Sequence, residues 1–310
     1  MTPENTQMLQ VEITRAHEFA QAGQMGLAVK SFDIAREMAH VFADPAALEQ
    51  VISKEKSGLS NERQRYRAIN FEHGAGEGRV PLLLLGDSLG LPRSEQISGK
   101  YRGAETTYGW MLGYQAHPFQ PTAVCQRYFT TDDAVRVLTE EPALAQTKHA
   151  VIHLGLNDCA NRMFLEHERL ALSLLKDDLR QKIVGFAQTH RQAILRELPG
   201  RHYVSADRFR SNLDLICMLL RMGGTDKIIL TTVILPPSKF WHATPGVNAN
   251  FASYNMEVMS AVQRNDATLL DLDRLVTEQG ALKMLVDDRM HLSVDGHTLF
   301  TREVVKLLAS

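Results

Sequence analysis

Apolar residues follow two different rhythms along this chain. From about residue 80 onward they come in short runs: "RVPLLLLG", "TAVCQRYF", "KHAVIHLG", "KIILTTVILPP" and "ATLLDL". The runs do not alternate strictly with polar residues, which is the pattern of strands covered on both faces. The stretches between them are long enough for helices. The clearest is "SADRFRSNLDLICMLLRMGG". Ser205 or Asp207 can cap its start, Phe209, Leu213, Ile216, Leu219 and Leu220 share a face, and Gly223-Gly224 ends it. Strand and helix in alternation predict an α/β domain with a parallel sheet and right-handed crossovers.

Residues 1 to about 65 keep the helical rhythm throughout. Ile13, Ala16, Phe19 and Ala20 recur at helical spacing, then Leu27, Ala28, Phe32, Ala35 and Met38, with a Gly-containing turn "QAGQMG" between the two sets. Two helices joined this way are expected to pack as an antiparallel hairpin. The small-residue pattern resembles one tetratricopeptide-type unit, without a second copy, whereas arrays normally need about three repeats. Such a hairpin would pack on the main domain, associate with a second copy, or bind a protein partner. "EHGAGEGRV", Glu72 to Val80, is the linker candidate, rich in glycine and poor in apolar residues. The expected division is a helical extension over residues 1–78 and an α/β domain over residues 79–310.

Composition narrows the class of function. The chain has 310 residues, 44% hydrophobic and 23% charged, which is ordinary for a globular protein able to bury a core without disulfides or metals. A formal net charge of −2 offers no electrostatic case for nucleic acid. No apolar run approaches the roughly 18 residues of a membrane span. The start "MTPENTQMLQVEITRAHEF" lacks a basic region followed by an apolar one, so no signal peptide is read and a cytoplasmic location is expected. Cys125, Cys159 and Cys217 form no CxxC pair and read as buried free thiols.

Candidate chemistry gathers where the apolar runs end. Ligands of parallel α/β sheets sit outside the carboxyl ends of the strands. "GDS" follows the first run, "GLND" follows "HAVIHL", and "DDRMHLSVDGH" follows the last run after a short connection. Each fragment alone has a plain reading as a turn, a helix N-cap or a chance DxxH spacing. Together they supply a serine nucleophile, Ser88, that needs a base to take its proton. His291 is that base, because imidazole titrates near neutrality. Asp288, three residues earlier, can hold the useful tautomer through the other ring nitrogen. Asn157, with the backbone N–H of Ser88, would supply oxyanion donors, each typically worth on the order of 3 kcal/mol to a transition state.

From about Arg79 to Ser310 the chain resembles the SGNH (GDSL-type) hydrolases, which act on esters. The matching motifs are "GDSLGLPR", "GLND" and "DRMHLSVDGH", with secondary matches in "FRSNLDLICMLLRMGGTDKIILTTVILPP" and "YNMEVMSAV". The resemblance implies a three-layer, flavodoxin-like fold with a parallel sheet. It implies Ser88 as nucleophile, His291 as base, Asp288 as its orienter and Asn157 as oxyanion donor. Asp87, Gly155 and Asp158 would be supporting residues. No metal and no organic cofactor is implied; the spacing of Asp271, Asp273, Asp288 and His291 matches no strong metal-ligand pattern. The implied reaction is hydrolysis of an acyl ester, O-acetyl among the possibilities, on a small molecule, sugar or polysaccharide precursor. An O-acyltransferase with the same site, and a catalytically weak scaffold acting through the helical extension, are the alternatives.

Two features depart from the family pattern. The family places a glycine after the second strand, whose backbone N–H completes the oxyanion hole. Here "TAVCQRYFTTDDA" has none, and Tyr128 or Phe129 takes the place, keeping the N–H without a glycine's freedom in φ. A long, charged, helical insertion, Cys159 to Val204, also follows Asn157-Asp158 directly. It is read as a helical excursion, a subunit contact or a lid.

Overall fold

The computed structural model describes residues 1–55, 78–91, 103–114 and 118–309. Five strands, β1 (Val80–Gly86), β2 (Phe119–Cys125), β3 (His149–His153), β4 (Lys227–Thr231) and β5 (Thr268–Leu270), form one parallel sheet in the order β2-β1-β3-β4-β5. That order is the flavodoxin-like one. Its switch point lies between β1 and β3, where successive connections leave on opposite sides, the place at which sheets of this kind generally receive ligands.

The leucine run of β1 shows why the strands read as continuously apolar. Leu82 and Leu84 face one side, Leu83 and Leu85 the other, and all four are buried. On the first side they join Ala123, Val151, Ile229, Phe300 and Val304 in one core cluster. Helices Tyr108–Tyr114, Leu272–Gln279 and Val294–Ala309 cover that side. Helices Thr131–Glu140 and Ala206–Met222 belong to the other layer, burying Val137, Leu138, Leu213, Ile216 and Leu220. The three-layer α/β architecture expected from the sequence is the one observed.

The chain divides into two compact units. The sheet unit comprises Leu59–Ala160, Val204–Ser238 and Asn248–Ser310, and the helical unit Met1–Gly58, Asn161–Tyr203 and Lys239–Val247. In the helical unit α1 (Pro3–Gln21) begins on a Thr2 side-chain cap, and α2 (Met25–Val41) follows a turn in which Gly23 has φ +74°. Their apolar faces do not close on each other alone. Leu9, Ile13, Ala28, Phe32 and Ala35 share a core with Leu179, Ile183, Phe186 and Ile194 of the insertion. Phe32 stacks on Phe186 at 5.2 Å. The insertion and the N-terminal helices therefore fold as one body. The proposed linker lies outside the described residues up to 77. No described helix is long and apolar enough to cross a membrane.

Candidate active site

Cys125, Gly86 and His153 lie in one register row across β2, β1 and β3. Ser88, Tyr128 and Asn157 follow that row by two, three and four residues, so all three leave the same rim of the sheet at the switch point. Ser88 opens a single 3-10 turn, Ser88–Gly90, capped by the buried Asp87, whose Oδ1 accepts from the Leu89 N–H at 2.8 Å. Gly90 is required there: a Cβ would collide with the Tyr108 hydroxyl and the Cys125 thiol beneath the turn.

The base arrives on a short loop closed by an antiparallel bridge between Leu285 and Leu292 and by a Val286 N–H to His291 carbonyl bond of 2.9 Å. Within it Arg289 adopts φ +60°. Asp288 Oδ1 accepts from the backbone N–H groups of Met290 and His291, each at 3.0 Å. Its other oxygen lies 2.8 Å from His291 Nδ1, and His291 Nε2 lies 2.9 Å from Ser88 Oγ. Partial burial alone would push the Asp288 carboxyl up. The hydrogen bonds from the His291 ring and from the two backbone N–H groups outweigh it and hold the carboxyl well below its usual range. An ionised Asp288 accepts only, so a neutral His291 carries its proton on Nδ1 and presents Nε2 to the serine hydroxyl.

The oxyanion side is built from two turns. Gly155 takes φ +122°, where a Cβ would also run into Val233, and starts the turn Leu156–Cys159 that carries Asn157. Asn157 is buried, and its Nδ2 donates to the Phe129 carbonyl at 3.2 Å. After β2, Tyr128 stands at φ +58°, a left-handed backbone at the position that lacks a glycine. The next residues are fixed: Phe129 is buried, and Thr130 and Asp133 form a capping box at the start of the helix Thr131–Glu140. Asp158 accepts from both the N–H and the hydroxyl of Thr131, and Asn212 donates to the same hydroxyl at 3.0 Å. The structure thus joins Ser88, His291 and Asp288 in one hydrogen-bonded chain, and joins the turns of Asn157 and Tyr128 to each other.

No family model and no curated protein matches the sequence. Solved structures match it in fold. LAE5, an alpha/beta hydrolase from the metagenome of Lake Arreo in Spain, superposes with a TM-score of 0.50 at 16% identity, over 73% of this chain and 94% of its own. The likeness is one of fold, the parallel α/β architecture expected from the sequence. A lipase/acylhydrolase from Enterococcus faecalis (TM-score 0.49, 16% identity, 74% and 95% covered) is also similar. So is a catalytic mutant of Axe2, an acetylxylan esterase from Geobacillus stearothermophilus (TM-score 0.48, 17% identity, 75% and 95% covered).

Beneath this rim of the sheet lies a polar layer that the sequence does not foretell. Tyr108 is buried and stacks on Phe300 at 4.1 Å; its hydroxyl reaches His153 Nδ1 at 3.4 Å, and its N–H donates to His297 Nδ1 at 3.3 Å. Burial pushes His153 down to about 3. It does the same to His297, with His153 and His291 adding to the effect, so both rings stay neutral. Trp110 packs on Tyr114 with ring centroids 4.5 Å apart. All three cysteines are buried and free, and burial pushes Cys125 and Cys217 up to about 12. Asp271 and Asp273 are engaged by the Thr232 hydroxyl and the Leu235 N–H.

Proposed function

We propose that this protein is a serine esterase that transfers an acyl group from an ester oxygen to Ser88 and then to water. The observation that carries the reading is the unbroken chain Ser88–His291–Asp288, with links of 2.9 and 2.8 Å, at the switch point of the sheet. His291 Nε2 takes the Ser88 proton as Oγ attacks the ester carbonyl. The oxyanion is received by the backbone N–H of Ser88, the side-chain amide of Asn157 and the backbone N–H of Tyr128. The imidazolium, stabilised by Asp288, returns the proton to the departing alcohol. A water molecule, deprotonated by the same Nε2, then attacks the acyl-serine, and Ser88 leaves with the proton restored. Asp87, Gly155 and Asp158 shape the turns that present these groups. The substrate class that follows from the SGNH resemblance is a small acyl group, such as acetyl, on a carbohydrate hydroxyl.

Hydrolysis of p-nitrophenyl acetate and butyrate by the wild type and by Ser88→Ala tests this reading. Activity confined to the wild type, together with fluorophosphonate labelling of Ser88, supports it, and the acetate-to-butyrate ratio sizes the acyl pocket. Equal activity in both proteins removes it.

A further inference from the structure

Tyr128 combines three properties that rarely coincide. Its backbone is left-handed at φ +58°, a region that L-residues other than asparagine and aspartate enter rarely. It is held there from both sides. Gln126, buried, donates its N–H to the Gly86 carbonyl at 3.2 Å, while Phe129 is anchored by Asn157 and Thr131 by Asp158. Yet the residue that this backbone carries is a large aromatic one, 47% exposed in a turn it shares with the exposed Arg127, between the buried Gln126 and Phe129. A bulky ring in a conformation suited to glycine, one turn from a nucleophile, is the kind of local strain that functional sites retain.

The residue's place in the fold says what it can meet. Gly86 and Cys125 are register partners, so Ser88, two residues past the one, and Tyr128, three past the other, leave the same end of neighbouring strands. In acyl transfer the acyl group stays on the enzyme while the alcohol departs to solvent. A half-exposed aromatic surface at the rim therefore meets the departing part. Aromatic faces stack on flat or ring-shaped partners that are themselves partly solvated. We propose that the phenol ring of Tyr128 is the alcohol-side wall of the site and selects esters whose alcohol carries a six-membered ring. This inference rests on the serine-esterase reading above and assigns its alcohol specificity to one side chain.

The test compares kcat/KM for benzyl acetate and ethyl acetate, two acetates of primary alcohols that differ in the ring. The ratio of the two constants cancels any common effect on the acyl step. In Tyr128→Gly, which keeps the backbone N–H and tolerates the left-handed conformation, the benzyl-to-ethyl ratio is expected to fall about 3- to 10-fold. Tyr128→Asn, a second replacement suited to positive φ, is expected to do the same. Tyr128→Phe should retain the wild-type ratio. An unchanged ratio in Tyr128→Gly and Tyr128→Asn, in a wild type that hydrolyses both esters, overturns this inference and leaves the esterase reading standing. A wild type that hydrolyses neither ester and takes no fluorophosphonate on Ser88 overturns both.

Discussion

Asp158 accepts two hydrogen bonds from Thr131, one from the backbone N–H at 3.0 Å and one from the hydroxyl at 2.5 Å. The contact ties the turn that carries Asn157 to the helix that follows Tyr128, so one buried carboxyl braces both sides of the oxyanion region. Burial pushes that carboxyl up to about 7, against the two Thr131 bonds that favour ionisation. An acid whose pKa is raised on folding loses stability as pH rises, from about 4, where the unfolded chain ionises, to about 7, where the folded one does. Asp158→Asn keeps an oxygen acceptor for both Thr131 bonds and removes the charge. The stability of the variant relative to wild type, from urea midpoints, should grow between pH 4 and pH 7 by on the order of 3 kcal/mol. A difference independent of pH would show that the carboxyl is already ionised when buried.

Asp288→Asn separates the orienting role from the structural one. An asparagine Oδ1 still accepts the Met290 and His291 backbone bonds that shape the loop. Its NH2, however, faces His291 Nδ1 with a donor and forces the ring proton to Nε2, where it can no longer take the Ser88 proton. The variant is expected to fold with an unchanged melting point and to lose about 10³- to 10⁴-fold in kcat for p-nitrophenyl acetate. Loss of less than tenfold would mean that the serine is activated another way.

The neutral pair His153 and His297 predicts acid lability. Both are held down to about 3 by burial, whereas an unfolded histidine titrates near 6.5. A base whose folded pKa is depressed contributes stability above its unfolded pKa and loses it as pH falls toward the folded one. Stability should therefore decline from about pH 6.5 toward about pH 3, opposite in sign to the Asp158 effect. In His297→Asn the side-chain oxygen can accept the Tyr108 N–H that His297 Nδ1 now accepts. Its stability should fall less steeply over that range, which chemical unfolding at several pH values would measure. An equal slope in both proteins would remove His297 as a source of acid sensitivity.

Ser88, Asp288 and His291 were readable as candidates because each sits in a short motif, Ser88 directly after an apolar run and Asp288 three residues before His291. That the two motifs meet, across 203 residues, was an expectation from the family resemblance and not from periodicity. The layer of Tyr108, His153 and His297 was not legible. Tyr108 meets His153 across 45 residues and His297 across 189, and no periodicity encodes such a meeting. The missing glycine at Tyr128 could be read, but its left-handed φ could not, because tertiary bonds from Asn157 and Asp158 impose it. The helical hairpin was read from Phe32 and Ala35, and the helical insertion from its pattern. Amphipathic faces do not name their partners, so the sharing of one core by Phe32 and Phe186 appeared only in three dimensions.

Tyr128 also makes a prediction about stability that is independent of substrate. Left-handed backbone costs a non-glycine residue about 1–2 kcal/mol, offset in part by the extra unfolded-state entropy of a glycine. Tyr128→Gly is expected to stabilise the protein by up to about 1 kcal/mol, whereas Tyr128→Ala retains the strain and gains nothing. Thermal unfolding of the two variants beside wild type checks the sign. A destabilised Tyr128→Gly would mean that packing of the ring outweighs the backbone cost.

In the helical unit, Arg36 is fully buried and clamps α2 to the insertion. Its Nε lies 3.0 Å from the carboxylate of the buried Glu168, its Nη1 donates to the Met163 carbonyl at 2.8 Å, and Asp33 pairs with its other end. Glu168 in turn accepts from the Leu165 N–H at 2.7 Å and from Arg201 at 2.6 Å. Removing one member of such a network leaves its partner's charge buried and less well compensated, at a cost of about 3–5 kcal/mol. Arg36→Met should therefore open the helical unit to limited proteolysis, and the double variant Arg36→Met with Glu168→Leu should recover part of the loss. The same packing means that a fragment of residues 1–78 lacks Leu179, Ile183, Phe186 and Ile194, which complete the core around Phe32. Circular dichroism of that fragment should show little cooperative unfolding. A sharp thermal transition would mean that the hairpin carries enough core of its own, and Arg36→Met would then loosen only the insertion.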